Sequence, residues 1–256
     1  MMRSPERQRA ERAAIARGID VFARGPAEVI VLMRVLHDEV RRAIDEGSVA
    51  PLMTFLYANM AETQARLRHI AVACRTGCSH CCNGFVAATA PEVLFIARAL
   101  APRTGAIAAV AAAAAATRDK SPAERERMVT PCPLLSGNLC TVYDIRPLAC
   151  RTEVSTDAET CRRIHLALSG EPISRPAAYT TFRRVYYVAL AGALRRAGLV
   201  WRPCEYNSAL ARALAAPSAE ADFLAGRDVF AGLPGDIGGD VFADPVIARA
   251  YDAAFA

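Results

Sequence analysis

The chain has 256 residues, 31 Lys and Arg against 26 Asp and Glu for a net charge of +5, and nine cysteines. That length buries a full core without covalent staples, and 53% hydrophobic content excludes global disorder. Arginine supplies nearly all the positive charge, Lys120 being the only lysine, and no run of five like charges marks a polyanion-binding tail.

Ala, Leu and Arg dominate long stretches and are strong helix formers, so a mostly α fold is expected, a helical scaffold around an irregular, loop-rich cysteine core. Ser4-Pro5-Glu6 reads as a helix start, with the helix running towards Arg24 and stopped at Gly25-Pro26. Its arginines (Arg3, Arg7, Arg9, Arg12, Arg17) alternate with Glu6 and Glu11 and carry no interleaved aromatics. They read as a solvated face, and no nucleic-acid partner is expected. The first twenty residues lack an apolar signal core, which leads to the expectation of a cytoplasmic protein. A second amphipathic helix spans about Ala27 to Glu46, and a third about Pro51 to Ala73.

Cys74 to Gly84 reads as irregular, with turn chemistry from Gly77, Ser79, Asn83 and Gly84. A helix opens near Pro91 and Glu92, and an Ala-rich one covers Ala106 to Thr117. The fourteen uncharged residues Thr104–Thr117 are too few to span a bilayer, so no membrane contact is expected. A short helix follows Pro122, and Pro131 to Arg151 reads as loops with one extended piece at Leu139 to Tyr143. Helices resume over about Asp157–Leu168 and Ala177–Ala197, and the tail is helical in pieces, then Gly/Pro/Asp-rich around Gly232 to Pro245. The resulting division is residues 1–73 as an N-terminal helical segment, 74–170 as the cysteine-cluster domain, and 171–256 as a C-terminal helical segment packing on the core.

Chemistry concentrates in two groups of four cysteines. Cys74, Cys78, Cys81 and Cys82 follow the spacing C-x3-C-x2-C-C, and Cys132, Cys140, Cys150 and Cys161 are set more widely among Pro131, Pro133 and Pro147. In a reducing compartment such thiols point to metal rather than disulfides, and thiolate suits zinc, copper(I) and iron–sulfur clusters. Adjacent side chains generally diverge, so Cys81 and Cys82 are expected to serve different ions or one larger cluster. The ninth cysteine, Cys204, stands alone and reads as structural.

The run Cys74 to Cys82 with Thr89-Ala-Pro-Glu92, followed by Cys132-Pro-Leu-Leu135 and Cys140-Thr-Val-Tyr143-Asp-Ile-Arg146-Pro147-Leu-Ala-Cys150-Arg151, resembles the CxxCxxCC or YkgJ-type cysteine-cluster family. That family is described as zinc- or iron-chelating and includes flagellin lysine N-methylases. The resemblance therefore implies metal binding, with an iron–sulfur protein- or peptide-modifying enzyme or an electron carrier as the alternative, and a protein or peptide as possible partner. Around the cluster, Arg146 and Arg151 are candidates to offset thiolate charge, against a loop-fixing Asp144–Arg146 turn. Glu92 reads as helix capping rather than a ligand. His80 and His165 are candidate supplementary ligands, and His37 and His69 read as ordinary helix residues. No strand followed by a Gly-rich loop offers a conventional site for a methyl-donor nucleotide.

Overall fold

In the computed structural model, which describes residues 3–22, 25–235 and 240–256, Ser4 caps the first helix by accepting from the Arg7 amide at 3.2 Å. Helix α1 (Pro5–Ile15) ends well before Arg24, because the chain turns at Gly18. There φ is +77° and a Cβ would lie 2.4 Å from the Thr63 amide nitrogen, so only glycine fits. The last two positions of the expected helix, 23 and 24, lie outside the described residues. Helix α2 (Ala27–Glu46) stops at Gly47, whose left-handed conformation returns its amide to the Ala43 and Ile44 carbonyls. Helix α3 (Ala50–Arg66) is shorter than its sequence pattern, leaving residues 67–79 as turns and loop that lead into the first cysteines.

Helices α4 (Ala90–Leu100), α5 (Thr104–Thr117) and α6 (Pro122–Glu126) precede the loop-rich stretch, which contains α7 (Leu148–Thr152) and α8 (Ala158–Leu166). Then come α9 (Ala177–Arg196), α10 (Tyr206–Ala215), α11 (Ala219–Leu224) and α12 (Pro245–Phe255), twelve α-helices among the described residues. Strand structure is confined to two-residue pieces. β1 (Ala87–Ala88) pairs antiparallel with β4 (Cys204–Glu205), and β2 (Leu135–Ser136) with β3 (Leu139–Cys140). The fold is mostly α, as expected. The Gly/Pro/Asp-rich stretch near the C-terminus includes positions 236–239, outside the described residues.

Helix α2 packs most extensively on α9, with α1, α3 and α12 around it, while α10 lies across α4 and α5. Gly192 lets α9 approach, since a Cβ there would stand 2.5 Å from the Met33 sulfur. Inside, Tyr186 of α9 donates to Asn59 Oδ1 at 2.5 Å and meets the Thr63 hydroxyl at 2.6 Å. Thr63 also accepts from the Ile19 amide. This buried network fixes the α1–α3 connection against α9, each polar group having a partner as burial requires. One hydrophobic cluster runs from Ile15 to Ala254 and includes Leu134, Val142 and Leu148 from the cysteine-rich stretch, so that stretch rests on the helical core.

Candidate metal centre

The first cysteine group hangs on a tight turn. The Cys78 amide donates to the Arg75 carbonyl at 2.9 Å, and Gly77 supplies the required positive φ of 83°. A 3-10 turn over His80–Asn83 then carries Cys81 and Cys82. Cys140 sits on the β2–β3 hairpin, whose central residues Gly137 and Asn138 both have positive φ, the requirement of a type I′ turn. Cys150 lies in α7 and Cys161 in α8.

Specific bonds stitch these distant segments together. The Cys132 amide donates to the Cys82 carbonyl at 2.8 Å, and Thr130 to the Asn83 carbonyl at 3.1 Å. The Ser79 hydroxyl donates to Asn138 Oδ1 at the hairpin tip. Ser155 accepts from the Ala73 amide at 2.8 Å and donates its own amide to the Cys74 sulfur at 3.4 Å. Its hydroxyl donates to the Asp157 carbonyl at 3.0 Å, at the start of the helix that carries Cys161, and burial raises the Cys161 thiol. Helix α8 packs on the 3-10 turn of Cys81 and Cys82.

These bonds surround a cavity of about 1260 Å³ lined by all the predicted thiols except Cys161, which is buried behind it. All nine cysteines are free. Cys74, Cys132, Cys150 and Cys161 are each raised in part by thiols from other segments of the chain. Cys74 is raised by burial and by Cys78, Cys81 and Cys161, and Cys161 in turn by Cys81 and Cys78. Cys132 is pushed up to about 11, by burial first and then Cys140 and Cys81. Cys150 is driven well up by burial, with Cys132, Cys81 and Cys140 adding to it. Cys81 is among the neighbours that raise Cys74, Cys161, Cys132 and Cys150. Its own thiol is pushed far up, most by the adjacent Cys82 and next by burial.

Around the thiols, Glu92 is capping, as its position in the first turn suggested. Its Oε2 accepts from the Thr89 amide at 2.8 Å and hydroxyl at 2.7 Å, and its Oε1 from the Leu148 amide at 2.5 Å, joining α4 to the start of α7. Arg151 is buried, stacks over Tyr57 at 4.1 Å, and donates to the carbonyls of Asp144 and Arg146. It holds the loop that leads into Cys150. Arg146 stacks on Tyr143 at 3.6 Å and donates to that residue's own carbonyl, while Asp144 contributes its carbonyl to the turn.

His165 lines the cavity with its ring against Gly84, whereas His80 is half-buried in the 3-10 turn. His69 is exposed and its Nδ1 contacts the Arg66 carbonyl; His37 meets Phe255 edge-on at 5.3 Å. Cys204 is buried in β4, its thiol donating to the Ala88 carbonyl at 3.6 Å. Two residues that sequence reasoning missed, Tyr57 and Tyr206, lie among the site's buried neighbours. They sit on helices without any motif that would single them out.

As a donor set the site suits a soft or borderline metal, and the lining charges complement it. Arg75, Arg127, Arg146, Arg151 and Arg183 face the cavity against Glu153 and Glu171, and four thiolates on a divalent ion carry a net −2. Among the described residues, no three His, Cys, Asp or Glu side chains are already gathered closely enough to hold an ion.

With this geometry in view, comparison with known proteins is informative. Residues 73–165 match the model of the CxxCxxCC family, described as a "putative zinc- or iron-chelating domain". This segment is similar to that zinc- or iron-chelating domain. The matched region begins one residue before Cys74 and ends at His165, so it contains both cysteine groups and the α8 segment that buries Cys161. Searches of curated proteins and of solved structures return no match. No helix among the described residues is long and apolar enough to cross a membrane.

Proposed function

We propose that this protein holds zinc or iron through the thiolates of Cys74, Cys78, Cys81, Cys82, Cys132, Cys140, Cys150 and Cys161. The observation that carries the reading is that seven of the eight thiols line one cavity, with Cys161 on the helix packed against the Cys81–Cys82 turn, within a segment that matches a metal-chelating family. Binding draws the thiols inward and displaces their protons, so metal uptake and ordering of this region are linked. In this reading the ligands divide between two centres that cut across the sequence groups. Cys74, Cys78 and Cys161 belong to one, Cys132, Cys140 and Cys150 to the other, and the Cys81–Cys82 pair joins them. A cytoplasmic location, where thiols stay reduced, fits all nine being free.

The size of the cavity favours one further reading. At about 1260 Å³ it exceeds the usual range for small-molecule pockets, leaving room for a substrate beside the metal. An iron–sulfur enzyme acting on a protein or peptide would use that room, whereas an electron carrier would not need it. Anaerobic purification with metal analysis and an ultraviolet–visible spectrum separates the cases. Absorption near 400 nm with bound iron and sulfide assigns an iron–sulfur protein, and a colourless protein with stoichiometric zinc assigns a zinc protein. A protein that takes up neither metal from micromolar solution ends the proposal.

A further inference from the structure

Buried hydroxyl and ring N–H groups must find acceptors, and a buried one left without a protein partner marks a place where an acceptor is to be supplied. Among the described residues six buried side-chain nitrogen or oxygen atoms have no such partner. They belong to Tyr57, Arg125, His165, Arg175 and Tyr206. Two of these, the hydroxyls of Tyr57 and Tyr206, belong to the surroundings of the thiol cavity: Tyr206 lines it, and Tyr57 lies under Arg151, which lines it too. Tyr57 on α3 is 7% exposed and Tyr206 at the start of α10 is 3% exposed.

Their surroundings explain why neither finds a protein oxygen. Tyr206 lines the cavity with Cys132, Cys140 and Cys150, and its backbone is pinned by the Val86 carbonyl accepting from its amide. Tyr57 lies beneath the Arg151 guanidinium at 4.1 Å, one residue along the chain from Cys150, with Phe95 against its other edge. A phenol is a protonated donor at neutral pH without any perturbation. A neutral thiol is a weak acceptor, but a metal-bound thiolate is an anion to which an O–H donates strongly.

We propose that Tyr57 and Tyr206 are hydrogen-bond donors to the thiolate sulfurs of Cys132, Cys140 and Cys150, and that these bonds form only when metal has displaced the thiol protons. The two phenols then favour the loaded state over the metal-free one, and they lower the electron density on the sulfurs they touch. The inference rests on the metal-binding reading above, and it concerns positioning residues rather than ligands. Removing such donors from around a metal's ligands costs 10–100-fold in affinity in other proteins.

The experiment uses the full chain and two isosteric variants, Tyr57→Phe and Tyr206→Phe, titrated with zinc and cobalt(II) against a chromophoric chelator. Each variant is expected to bind metal about 10-fold more weakly than the parent. Its thiolate-to-cobalt charge-transfer band should shift, and its metal-free form should melt no lower than the parent's metal-free form. That last result distinguishes the proposal from an ordinary core role, in which the metal-free protein would be destabilised as well. Unchanged affinity and band position in both variants overturn the inference, as does a metal-free Phe variant that melts lower or fails to fold. Failure of the parent itself to bind either ion is a different outcome, and it overturns the metal-binding reading on which the inference stands.

Discussion

Replacing Glu92 tests how the helical core positions the cysteine loops. Its two oxygens are committed to different elements: Oε2 takes both Thr89 donors at the start of α4, and Oε1 takes the Leu148 amide that starts α7, two residues before Cys150. Glu92→Ala removes the capping contacts, worth about 0.5–2 kcal/mol. It also leaves the buried Leu148 amide without an acceptor, at about 1–3 kcal/mol. Relief of the cost of burying the carboxylate offsets part of this, so a net loss of about 1–4 kcal/mol is expected. Glu92→Gln is the sharper variant. Its single carbonyl can serve one set of donors only, and its NH₂ must then face the other, for about 1–3 kcal/mol.

The pH dependence carries a definite sign. Burial raises the Glu92 pKa above 4.5 despite its hydrogen bonds, so the group's contribution is full below that value and declines as pH rises through the raised one. Glutamine lacks this decline, and the deficit of the Gln variant should shrink with increasing pH. Urea unfolding followed by circular dichroism at several pH values measures both effects. A Gln variant within about 0.5 kcal/mol of the parent at every pH, the range of an ordinary surface change, would refute the two-sided clamp.

Further expectations follow from the same packing. Gly192→Ala should cost about 1–2 kcal/mol in thermal or urea unfolding, because the added methyl meets Met33 inside the α2–α9 contact and helix propensity recovers only part of the strain. Equal or greater stability would mean that Met33 yields freely. His37 is depressed to about 4, by burial first and then by Arg41, Arg3 and Arg196. Its neutral form favours the folded state, so stability should fall as pH drops from about 6.5 towards 4, and His37→Gln should remove that slope from the unfolding curves. Chelator-treated protein should melt lower than metal-loaded protein, with a gap that widens as free metal increases; equal melting temperatures would remove the structural role assigned to the metal. Cys204→Ser should leave metal content unchanged, since a serine hydroxyl can make the same bond to the Ala88 carbonyl. A loss of metal on analysis would return Cys204 to the ligand set.

Periodicity located nearly every helix, because apolar spacing and caps such as Ser4, Gly47 and the Thr89–Glu92 box are local properties. The early end of α1 was not legible, since it depends on Gly18 meeting Thr63 across 45 residues. The cysteine clusters stood out through their spacing, and Cys204 through its isolation. Their approach to one cavity did not, because it depends on long-range contacts such as the Cys132 amide bonding the Cys82 carbonyl and α8 lying against the 3-10 turn. Tyr57 and Tyr206 had no local signature at all. A tyrosine inside an amphipathic pattern reads as core, and only the absence of a protein acceptor sets these two apart.

The wide separation of Cys74 and Cys161 along the chain has a consequence for synthesis. Eighty-seven residues separate the two cysteines, and elongation at about 5–20 residues per second means that about 4–17 s pass between their additions to the chain. During that interval Cys74, Cys78, Cys81 and Cys82 are made before Cys161 exists. On the proposed ligand set, an ion captured by those four alone is released or exchanged once α8 arrives, and premature capture delays maturation. Pulse-labelled nascent chains stalled before and after residue 161 would show whether stable metal retention begins only when α8 has emerged.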